Sequence, residues 1–456
     1  MDESEIKKFF HDQTIFITGG TGFVGKVLIE KLLRLCEVSK IYILVRPKKG
    51  KTTKQRFNEF FDYPCFDRIR NGESDLTTKV VFVSGDCESP NLGISDEFKE
   101  VLLKETTILF HAAADVRFDQ PLQIAAKITI GSTRDVLALA KQMPRLKAFV
   151  YVSTAYSNCP HRHIGEEFYA PPMTSGQLLN IVDAMDEKVL DQITPKLLGR
   201  WPNTYTFTKS IAEDLIKTEA ENLPLTIVRP AIVTPTLEEP LPGWIDNFYG
   251  ISGIITAASL GILRSLNAKL NVTSYAVPCD YVANITIASA WNVAKEKRNN
   301  IPIYNYVGPK NNTTTWGKAR ECMDILIPQY PPKKMIWHYT FQMRENALWH
   351  KICIFFFHTV VAYLVDFVLI CSGRKPMAVK NYERINKLVA LTSYFTTNEW
   401  TFDIDNVEKL WEEMGDSDKK LFNFNMDDVD LLSYFRVGII GGRIYLLKDP
   451  IETIPE

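Results

Sequence analysis

Residues 14–25 read TIFITGGTGFVG, a short apolar run that leads into three glycines spaced three residues apart. The run has the pattern of a buried strand, and the residues after Gly25 carry apolar side chains at helical spacing. Glycines between a strand and a helix allow a tight turn, and the helix N-terminus offers N–H donors to a pyrophosphate. The sequence therefore predicts a dinucleotide site at this loop, formed by Thr18, Gly19, Gly20, Thr21, Gly22, Phe23, Val24 and Gly25.

Apolar segments of strand length recur after the glycine loop, with helical patterns between them. The predicted strands lie at residues 14–17, 41–45, 79–83, 107–110, 148–152 and 225–228. This alternation indicates a parallel sheet with helices on both faces. We therefore expect an α/β fold, with a Rossmann-type doubly wound parallel sheet, a substrate lobe and a mainly helical C-terminal domain.

Loop-forming residues and changes in composition predict where the domains meet. The N-terminal domain is predicted at residues 1–325, with a substrate lobe at about residues 235–300, and the C-terminal domain at residues 326–456. The proline-rich residues 328–332 are predicted as the linker. Within the lobe, residues 250–265 are apolar with small side chains, which suits an apolar substrate.

The composition excludes several classes of protein. The formal net charge of the 456 residues is −1, which argues against a protein that coats nucleic acid. The eight cysteines are scattered without a Cys-x-x-Cys pair, as expected for free thiols in a reducing compartment. His161 and His163 have no further ligand cluster near them in the sequence, so we expect no metal site. The polar, acidic N-terminus does not resemble a signal peptide.

The end of the second predicted strand indicates which dinucleotide binds. Proteins that bind NAD usually place an Asp or Glu there to hold the ribose hydroxyls. This chain has Arg46, followed by Lys48 and two further lysines. A guanidinium binds a 2′-phosphate in a bidentate manner, whereas a carboxylate repels it. The sequence therefore favours NADPH; the alternative is a solvated basic loop without a ligand.

Three other strand ends add candidate cofactor residues. Asp86 follows the third strand, where the adenine is expected, and His111, Ala112 and Ala113 follow the fourth. Small side chains there allow a cofactor to lie across the strand ends. A lone histidine is more often structural than catalytic, so His111 is assigned a contact with the cofactor only. Pro230, after the sixth strand, completes the predicted cofactor set.

A tyrosine and a lysine four residues apart are the candidates for catalysis. Tyr205 and Lys209 lie on one face of a predicted helix, where an ammonium is expected to lower the pKa of the phenol. Such a phenol can donate its proton to a carbonyl oxygen during hydride transfer. Thr154 or the adjacent Ser153, at the end of the fifth strand, can hydrogen-bond the same oxygen. Tyr205 and Lys209 are also predicted to contact the cofactor.

Residues 352–371 form an apolar run long enough to cross a bilayer. His358 and Asp366 interrupt the run and lie on one stripe of the predicted helix. Lys351 precedes it, and basic residues follow it. The sequence favours membrane contact and leaves three alternatives open: a spanning helix, a helix in the membrane interface, and a helix buried against the protein.

The combination of the glycine loop, the hydroxyl-bearing strand end and the Tyr-x-x-x-Lys pair resembles the extended short-chain dehydrogenase/reductases. It is most similar to the eukaryotic fatty acyl-CoA reductases of the male-sterility type, and the similarity extends over nearly the whole chain. The segments that carry it are residues 41–50, 150–158, 203–214, 228–244, 358–376, 395–402 and 416–424.

The resemblance implies NADPH-dependent reduction of a long-chain fatty acyl-CoA to a primary alcohol. Two hydride transfers proceed through an aldehyde, and coenzyme A is released. Tyr205 would be the proton donor, Lys209 its pKa partner and ribose ligand, and Thr154 or Ser153 the hydrogen-bond donor to the carbonyl. The implied partners are the acyl-CoA and a membrane. The catalytic domain would lie in the cytosol at the endoplasmic reticulum, with the peroxisome as the alternative.

Two other functions remain open from the sequence. One is a different enzyme of the same superfamily, such as a sterol or other lipid dehydrogenase or a nucleotide-sugar epimerase. The other is a non-catalytic NADPH-binding membrane protein. The chain length of the substrate and the oligomeric state are not determined by the sequence.

Overall fold

A seven-stranded parallel sheet lies at the centre of the computed structural model, which describes residues 3–47, 50–72, 76–295, 300–309 and 313–455. The strands of this sheet are β1 (Thr14–Thr18), β2 (Lys40–Val45), β3 (Val80–Ser84), β4 (Ile108–His111), β5 (Ala148–Val152), β7 (Leu225–Pro230) and β11 (Ile303–Tyr306). Short strands pair outside it: β6 (His163–Ile164), β8 (Ile232–Thr234), β9 (Ser265–Asn267), β10 (Ala276–Pro278), β12 (Gln342–Arg344) and β13 (Thr401–Phe402).

The helices of the N-terminal half alternate with these strands. They are α1 (Glu5–Phe10), α2 (Phe23–Leu35), α3 (Thr53–Phe61), α4 (Asp67–Arg70), α5 (Asp96–Glu105), α6 (Leu122–Ala126), α7 (Ser132–Ala140), α8 (Ser175–Ala184), α9 (Glu187–Leu198), α10 (Thr204–Glu219), α11 (Gly250–Ser259) and α12 (Cys279–Lys295). Helices predominate in the remainder: α13 (Trp316–Gln329), α14 (Ala347–Ile354), α15 (Val361–Cys371), α16 (Ala378–Thr397), α17 (Asp405–Glu412), α18 (Asp416–Leu421) and α19 (Leu431–Gly441). The predicted fold class is therefore confirmed.

The order of the strands is β11-β7-β5-β4-β1-β2-β3. The chain builds outward from β1 to β3 and then returns to the other side of β1 at β4. Helices α2 and α12 cover one face of the sheet, through side chains such as Leu28 and Val282. Helices α7 and α10 cover the other, through side chains such as Leu137 and Ile211. The sheet is buried on both faces, which explains why most of its strands are rich in apolar residues.

The C-terminal part is joined to the N-terminal half by strand pairing. β12 pairs in parallel with β9, and β13 pairs in parallel with β6. The linker predicted at residues 328–332 is wrong at its start, because Pro328 lies inside α13. Leu326 and Ile327 are buried in a cluster that includes Ile439 of α19, and this packing outweighs the hydrogen bond that the proline removes. The boundary predicted after residue 325 also falls within this helix.

The predicted substrate lobe is shorter in the structure than expected. Residues 279–295 form α12, which packs on α2 and belongs to the cover of the central sheet. The rest of the predicted lobe contains α11, β9 and β10, and β10 pairs with β8, which directly precedes the lobe. The apolar stretch at residues 250–265 contains α11, which faces the cleft described below.

Candidate active site

The glycine loop between β1 and α2 has no room for side chains. Gly19 has a φ of +73°, and a Cβ there would lie 2.5 Å from the carbonyl carbon of Ala112. A Cβ on Gly25 would lie 2.3 Å from the carbonyl oxygen of Gly19. Gly22 precedes α2 without a capping side chain, so the first N–H groups of the helix have no side-chain partner. This backbone arrangement fits the pyrophosphate of a dinucleotide cofactor.

A cleft of about 800 Å³ lies above this loop, along the carboxyl ends of β1, β2 and β4. The order of the strands reverses between β1 and β4, which is where open α/β sheets bind their ligands. Among the predicted residues, the cleft is lined by Gly19, Thr21, Gly22, Phe23, Val24, Gly25, Arg46, Asp86, Ala112, Ala113, Thr154 and Tyr205. Lys48 lies outside the described residues.

His111 does not face the cleft, contrary to the contact with the cofactor predicted for it. Its Nδ1 lies 2.5 Å from the hydroxyl of Thr18, and its Nε2 lies 3.1 Å from the hydroxyl of Thr133. The side chain is fully buried, and burial lowers its pKa to about 3. His111 is therefore neutral and fastens the end of β1 to α7. The Thr18 hydroxyl is bonded to His111 by this contact, and Thr18 does not line the cleft either.

Gly20 and Pro230 serve packing and strand pairing rather than the cleft. A Cβ on Gly20 would lie 2.7 Å from the side chain of Ile43, so this glycine allows the loop to pack on β2. The carbonyl of Pro230 accepts a hydrogen bond from the N–H of Ala155 at 3.0 Å. Pro230, which was predicted to contact the cofactor, does not line the cleft, whereas residues 231–233, which immediately follow it, do.

Ser153 and Thr154 are adjacent in the chain but have different surroundings. The Ser153 hydroxyl donates to the carboxylate of Glu213, which forms a fully buried ion pair with Arg229 at 2.8 Å. Thr154 lines the cleft together with Tyr205. Of the two predicted donors, the structure brings Thr154 to the site and uses Ser153 in the core.

Tyr205 lies in the first turn of α10, where Asn203 caps the helix by accepting a hydrogen bond from the N–H of Thr206 at 2.9 Å. Burial raises the pKa of Tyr205 to about 12, and the nearby Thr154 side chain partly offsets this effect. The phenol therefore carries its proton at neutral pH. Its ring stacks with Phe118 at a centroid distance of 6.0 Å, which fixes its orientation.

Lys209 is directed away from the phenol, so the predicted lowering of the Tyr205 pKa is wrong for this structure. The Lys209 Nζ donates to the carbonyl of Val152 at 2.7 Å and lies 3.3 Å from the hydroxyl of Tyr151. Burial lowers the pKa of Lys209 to about 7, against the opposing charge of Glu213. Lys209 thus titrates near neutral pH beneath the floor of the cleft.

This buried lysine predicts a pH-dependent stability. The native pKa of about 7 lies below the ordinary value of 10.5, so between these values the unfolded chain binds a proton that the native chain does not. Stability therefore rises with pH, by up to about 1.4 kcal/mol per pH unit. We expect the free energy of unfolding of the natural protein, relative to Lys209→Met, to increase between about pH 7 and about pH 9. Urea denaturation at both values measures it; parallel pH dependences for the two proteins would contradict the expectation.

Arg46 stands at the rim of the cleft, at the end of β2. Its Nε lies 3.0 Å from the carboxylate of Asp86, and its Nη2 lies 2.8 Å from that of Glu88. The side chain is about half exposed, so these ion pairs are screened by solvent. The guanidinium is thereby held beside the cleft with its remaining donors free of protein partners in the described residues. This position suits an anionic group on the adenosine half of a dinucleotide.

The far wall of the cleft is apolar, and only its part from residues 250–265 was expected from the sequence. It combines Ile251 and Ile254 of α11, Trp316 of α13 and Phe395 of α16. Phe395 also contacts Phe118, at a centroid distance of 5.3 Å, and so continues the aromatic contact that begins at Tyr205. These residues come from three helices that are far apart in the chain, so no local pattern could identify them together.

Comparison with known proteins agrees with this geometry. Two sequence families, both described as male sterility protein, match residues 17–286 and residues 357–449. Fatty acyl-CoA reductase wat of Drosophila melanogaster is 41% identical over 455 residues, which cover 100% of this chain and 88% of the relative. Fatty acyl-CoA reductase 1 of Rattus norvegicus is 37% identical, over 99% of this chain and 88% of the relative. The chain belongs to the fatty acyl-CoA reductases.

Solved structures place this reductase in the same fold as other reductase domains. The terminal R domain of the myxalamid biosynthetic pathway superposes with a TM-score of 0.61 at 19% identity, over 96% of this chain and 91% of that domain. The reductase domain of a non-ribosomal peptide synthetase from Mycobacterium tuberculosis superposes with a TM-score of 0.60 at 15% identity. The superposition covers 98% of this chain and 96% of that domain. The predictions of an oxidoreductase with a nicotinamide cofactor and of an acyl-CoA substrate are confirmed at the level of the family.

Proposed function

We propose that this reductase uses NADPH to convert a long-chain fatty acyl-CoA to the primary alcohol through an aldehyde. The observation that carries the proposal is the placement of Tyr205 and Thr154 together in the lining of a cleft with two unlike ends. One end is the glycine loop that fits a dinucleotide, and the other is the apolar wall that includes Trp316 and Phe395. A carbonyl placed between them lies within reach of both hydroxyls.

Different residues of the chain would bind different groups of the cofactor. The backbone of the glycine loop and the start of α2 would bind the pyrophosphate, and Arg46 the 2′-phosphate. The absence of bulky side chains at Ala112 and Ala113 leaves room for the ribose and the nicotinamide across the strand ends. Lys209, beneath the cleft, would hydrogen-bond the ribose. When bound, the nicotinamide supplies the hydride that reduces the carbonyl.

Tyr205 and Thr154 would act on the carbonyl oxygen. Both hydroxyls can donate hydrogen bonds to this oxygen as negative charge develops on it. With its pKa raised to about 12, Tyr205 keeps its proton until the oxygen becomes an alkoxide, which is basic enough to take it. In the first round hydride would add to the thioester carbonyl, the carbonyl would re-form as the C–S bond breaks, and coenzyme A would leave as the thiolate and take a proton from solvent. In the second round the resulting aldehyde would be reduced, Tyr205 would protonate the alkoxide to the alcohol, and solvent would return a proton to the phenolate.

The apolar wall supports a long acyl chain as the substrate. Ile251, Ile254, Trp316 and Phe395 offer contacts to methylene groups and no charge. Each methylene removed from water contributes about 0.8 kcal/mol, so longer chains bind more tightly until the wall is filled. The helix that runs from Ala347 to Cys371 is apolar enough to contact a membrane. We propose the cytosolic face of the endoplasmic reticulum as the location, with the peroxisome as the alternative.

Incubation of the purified protein with an acyl-CoA panel tests the proposed function. The panel extends from octanoyl-CoA to eicosanoyl-CoA, with NADPH or NADH as the donor and mass spectrometry of the products. We expect primary alcohols from the long-chain substrates, free coenzyme A, and two molecules of NADPH oxidised for each alcohol. Reduction of a sterol ketone in place of acyl-CoA would contradict the proposal, and so would a release of aldehyde without alcohol.

The preference for NADPH is expected to depend on Arg46. Replacing Arg46 with Ala removes a charge-assisted contact of about 1.5–3 kcal/mol to the 2′-phosphate, so KM for NADPH should rise by roughly 10- to 100-fold. KM for NADH, which lacks this phosphate, should not change. Lys51→Ala is the matched control, since Lys51 is also basic and close in the chain but pairs with Glu59. Equal effects of Arg46→Ala on both cofactors would contradict the assignment.

A further inference from the structure

The apolar helix from Ala347 to Cys371 presents its polar stripe to the protein. It consists of α14, a π turn (Phe355–Val360) and α15, and we call it the surface helix. Its buried side chains are His350, Cys353, His358, Ala362 and Asp366. The step from residue 353 to residue 358 is five residues, whereas the other steps are three or four, and the π turn accommodates the longer step. His350, His358 and Asp366 therefore all lie on the face of the surface helix that is buried against the protein.

The polar groups of this face are bonded to the body of the protein. The Asp366 carboxylate accepts hydrogen bonds from the backbone N–H groups of residues 377–379, at 2.8, 2.8 and 3.0 Å, and so caps α16. The Nε2 of His358 accepts from the N–H of Arg264 at 3.1 Å, and its Nδ1 lies 2.9 Å from the side-chain oxygen of Asn386. These bonds hold the helix against α16 and the start of β9.

The opposite face of the surface helix is apolar and exposed. Leu348, Phe356, Tyr363, Leu364, Phe367 and Val368 are each more than half exposed. Arg264 connects Trp337 to the surface helix. The backbone N–H of Arg264 bonds His358, and its guanidinium lies over the Trp337 ring at 4.4 Å, so Trp337 extends the apolar face. Soluble proteins rarely expose a contiguous apolar surface of this size, and such surfaces mark contact with a partner or a membrane.

Charge at the ends of the surface helix favours lipid as the occupant. Lys351 near its start and Arg374 and Lys375 just beyond its end are all exposed. Basic residues beside an apolar helix face attract the anionic headgroups of a cytoplasmic leaflet, at about 1 kcal/mol for each residue. The apolar centre with basic ends matches the surface of a bilayer, which has hydrocarbon beneath charged headgroups.

The neighbours of the surface helix exclude a crossing of the bilayer. α16 runs beside it in the opposite direction, since Asp366 bonds the start of α16 and His358 bonds its middle. The exposed side chains of α16 include Lys380, Glu383 and Arg384. If the surface helix spanned the membrane, these charges would enter the hydrocarbon, or the bonds of Asp366 and His358 would break. At the other end, β12 ties the chain to β9 just before the surface helix begins.

We propose that the surface helix lies in the plane of one leaflet, with its apolar face in the lipid and its polar stripe on the protein. Interfacial helices of this type are immersed by about 5–10 Å. α16 then connects the leaflet to the active site, because it starts at the Asp366 cap and ends with Phe395 and Thr396 in the wall of the cleft. Only the purpose of this arrangement, delivery of an acyl chain from the leaflet, rests on the proposed function.

Vesicle flotation with two pairs of substitutions tests the lipid contact. Phe356→Glu with Phe367→Glu places two charges on the apolar face, and Met185→Glu with Val189→Glu places two on a different exposed apolar pair. With vesicles of phosphatidylcholine and phosphatidylserine, we expect the first variant to lose at least about tenfold in binding and the second to bind like the natural protein. NADPH binding by fluorescence verifies that both variants are folded. Unchanged flotation of the first variant would overturn the proposal. If that variant also changed from a dimer to a monomer, the apolar face would contact a second copy of the chain instead of lipid.

Spin-label depth measurements distinguish an in-plane helix from a spanning helix. Single cysteines at positions 348, 356, 363 and 370 are labelled with a nitroxide, after Cys87 and Cys371 have been replaced by Ser. An in-plane helix gives the same shallow depth at all four positions. A depth that is greatest at positions 356 and 363 and shallow at both ends would show a spanning helix and overturn the proposal.

The proposed function and this inference fail separately. Reduction of a short, water-soluble acyl-CoA in the absence of vesicles reports on the active site alone. If the natural protein reduces it but does not bind vesicles, the inference fails and the proposed function stands. If the natural protein binds vesicles at the shallow depth but reduces no acyl-CoA, the proposed function fails and the inference stands.

Discussion

Replacing Tyr205 with Phe should lower kcat by about 10²- to 10⁴-fold, the usual contribution of a positioned proton donor. The ring of Phe can keep the contact with Phe118, so the packing of the cleft is preserved. What is lost is the proton that burial retains on the phenol. KM for NADPH should change little, because the pyrophosphate is bound by the glycine loop.

Steady-state kinetics with a long-chain acyl-CoA measures this effect, and NADPH titration by fluorescence shows whether the cofactor still binds. Tyr275→Phe is the matched control: it also removes a phenolic hydroxyl, one that donates to the carbonyl of Trp400 at 2.8 Å and does not line the cleft. If Tyr205→Phe retained more than about a tenth of the natural kcat, a different proton donor would have to be sought.

Replacing Gly25 with Ala should weaken cofactor binding strongly. The new Cβ would lie 2.3 Å from the carbonyl oxygen of Gly19, and this neighbour is backbone, so it cannot rotate away. Relief requires a shift of the loop against α2, which displaces the N–H donors from the pyrophosphate. Loss of two such contacts costs about 2–4 kcal/mol, so Kd for NADPH should rise by roughly 30- to 1000-fold.

Gly176→Ala supplies the control for this substitution. Gly176 lies in α8, and a Cβ there would meet no atom within 4 Å. The change should leave Kd for NADPH unaltered and should raise stability by about 0.5–1 kcal/mol, because alanine is the better helix former. Equal cofactor affinities of the two variants would show that the close approach at Gly25 is not needed for binding.

The strands that the sequence predicted are those that form continuous apolar runs. β1, β2, β3, β4, β5 and β7 each overlap a predicted apolar run. β11 was missed because it is short and polar: in Ile303–Tyr306, the Asn305 side chain bonds the backbone of Ile164 and Asp403. The place of β11 in the sheet depends on these partners, which are distant in the sequence. The hydrophobic pattern of residues 303–306 does not show them.

Within the active site, the sequence identified positions better than side-chain directions. Ser153 and Thr154 were equivalent candidates in the sequence, but only the pairing of β5 decides which hydroxyl faces the cleft. The Lys209 ammonium shares a helix face with Tyr205, yet it bonds the carbonyl of Val152, and burial controls the pKa of both side chains. Hydrogen bonds and burial of this kind arise from tertiary packing, which spacing along a helix does not show.

For the surface helix too, the sequence did not show the direction of the side chains. The sequence revealed an apolar run with a polar stripe at His358 and Asp366, but not which face the stripe turns to. The answer depends on Asn386 and on the start of α16, which are later in the chain. A stripe bonded to protein leaves the apolar side to the surroundings, which is the reverse of an ordinary surface helix.

The pairing of β13 with β6 has a consequence for how the chain is made. His163 and Thr401 are hydrogen-bonded neighbours although 238 residues separate them in the sequence. A ribosome adds about 5–20 residues each second, so β6 waits at least about ten seconds for its partner strand. During this time the central sheet can already fold, whereas the apolar wall lacks Phe395. The order of synthesis thus completes the cofactor half first and delays turnover until Phe395 has been added.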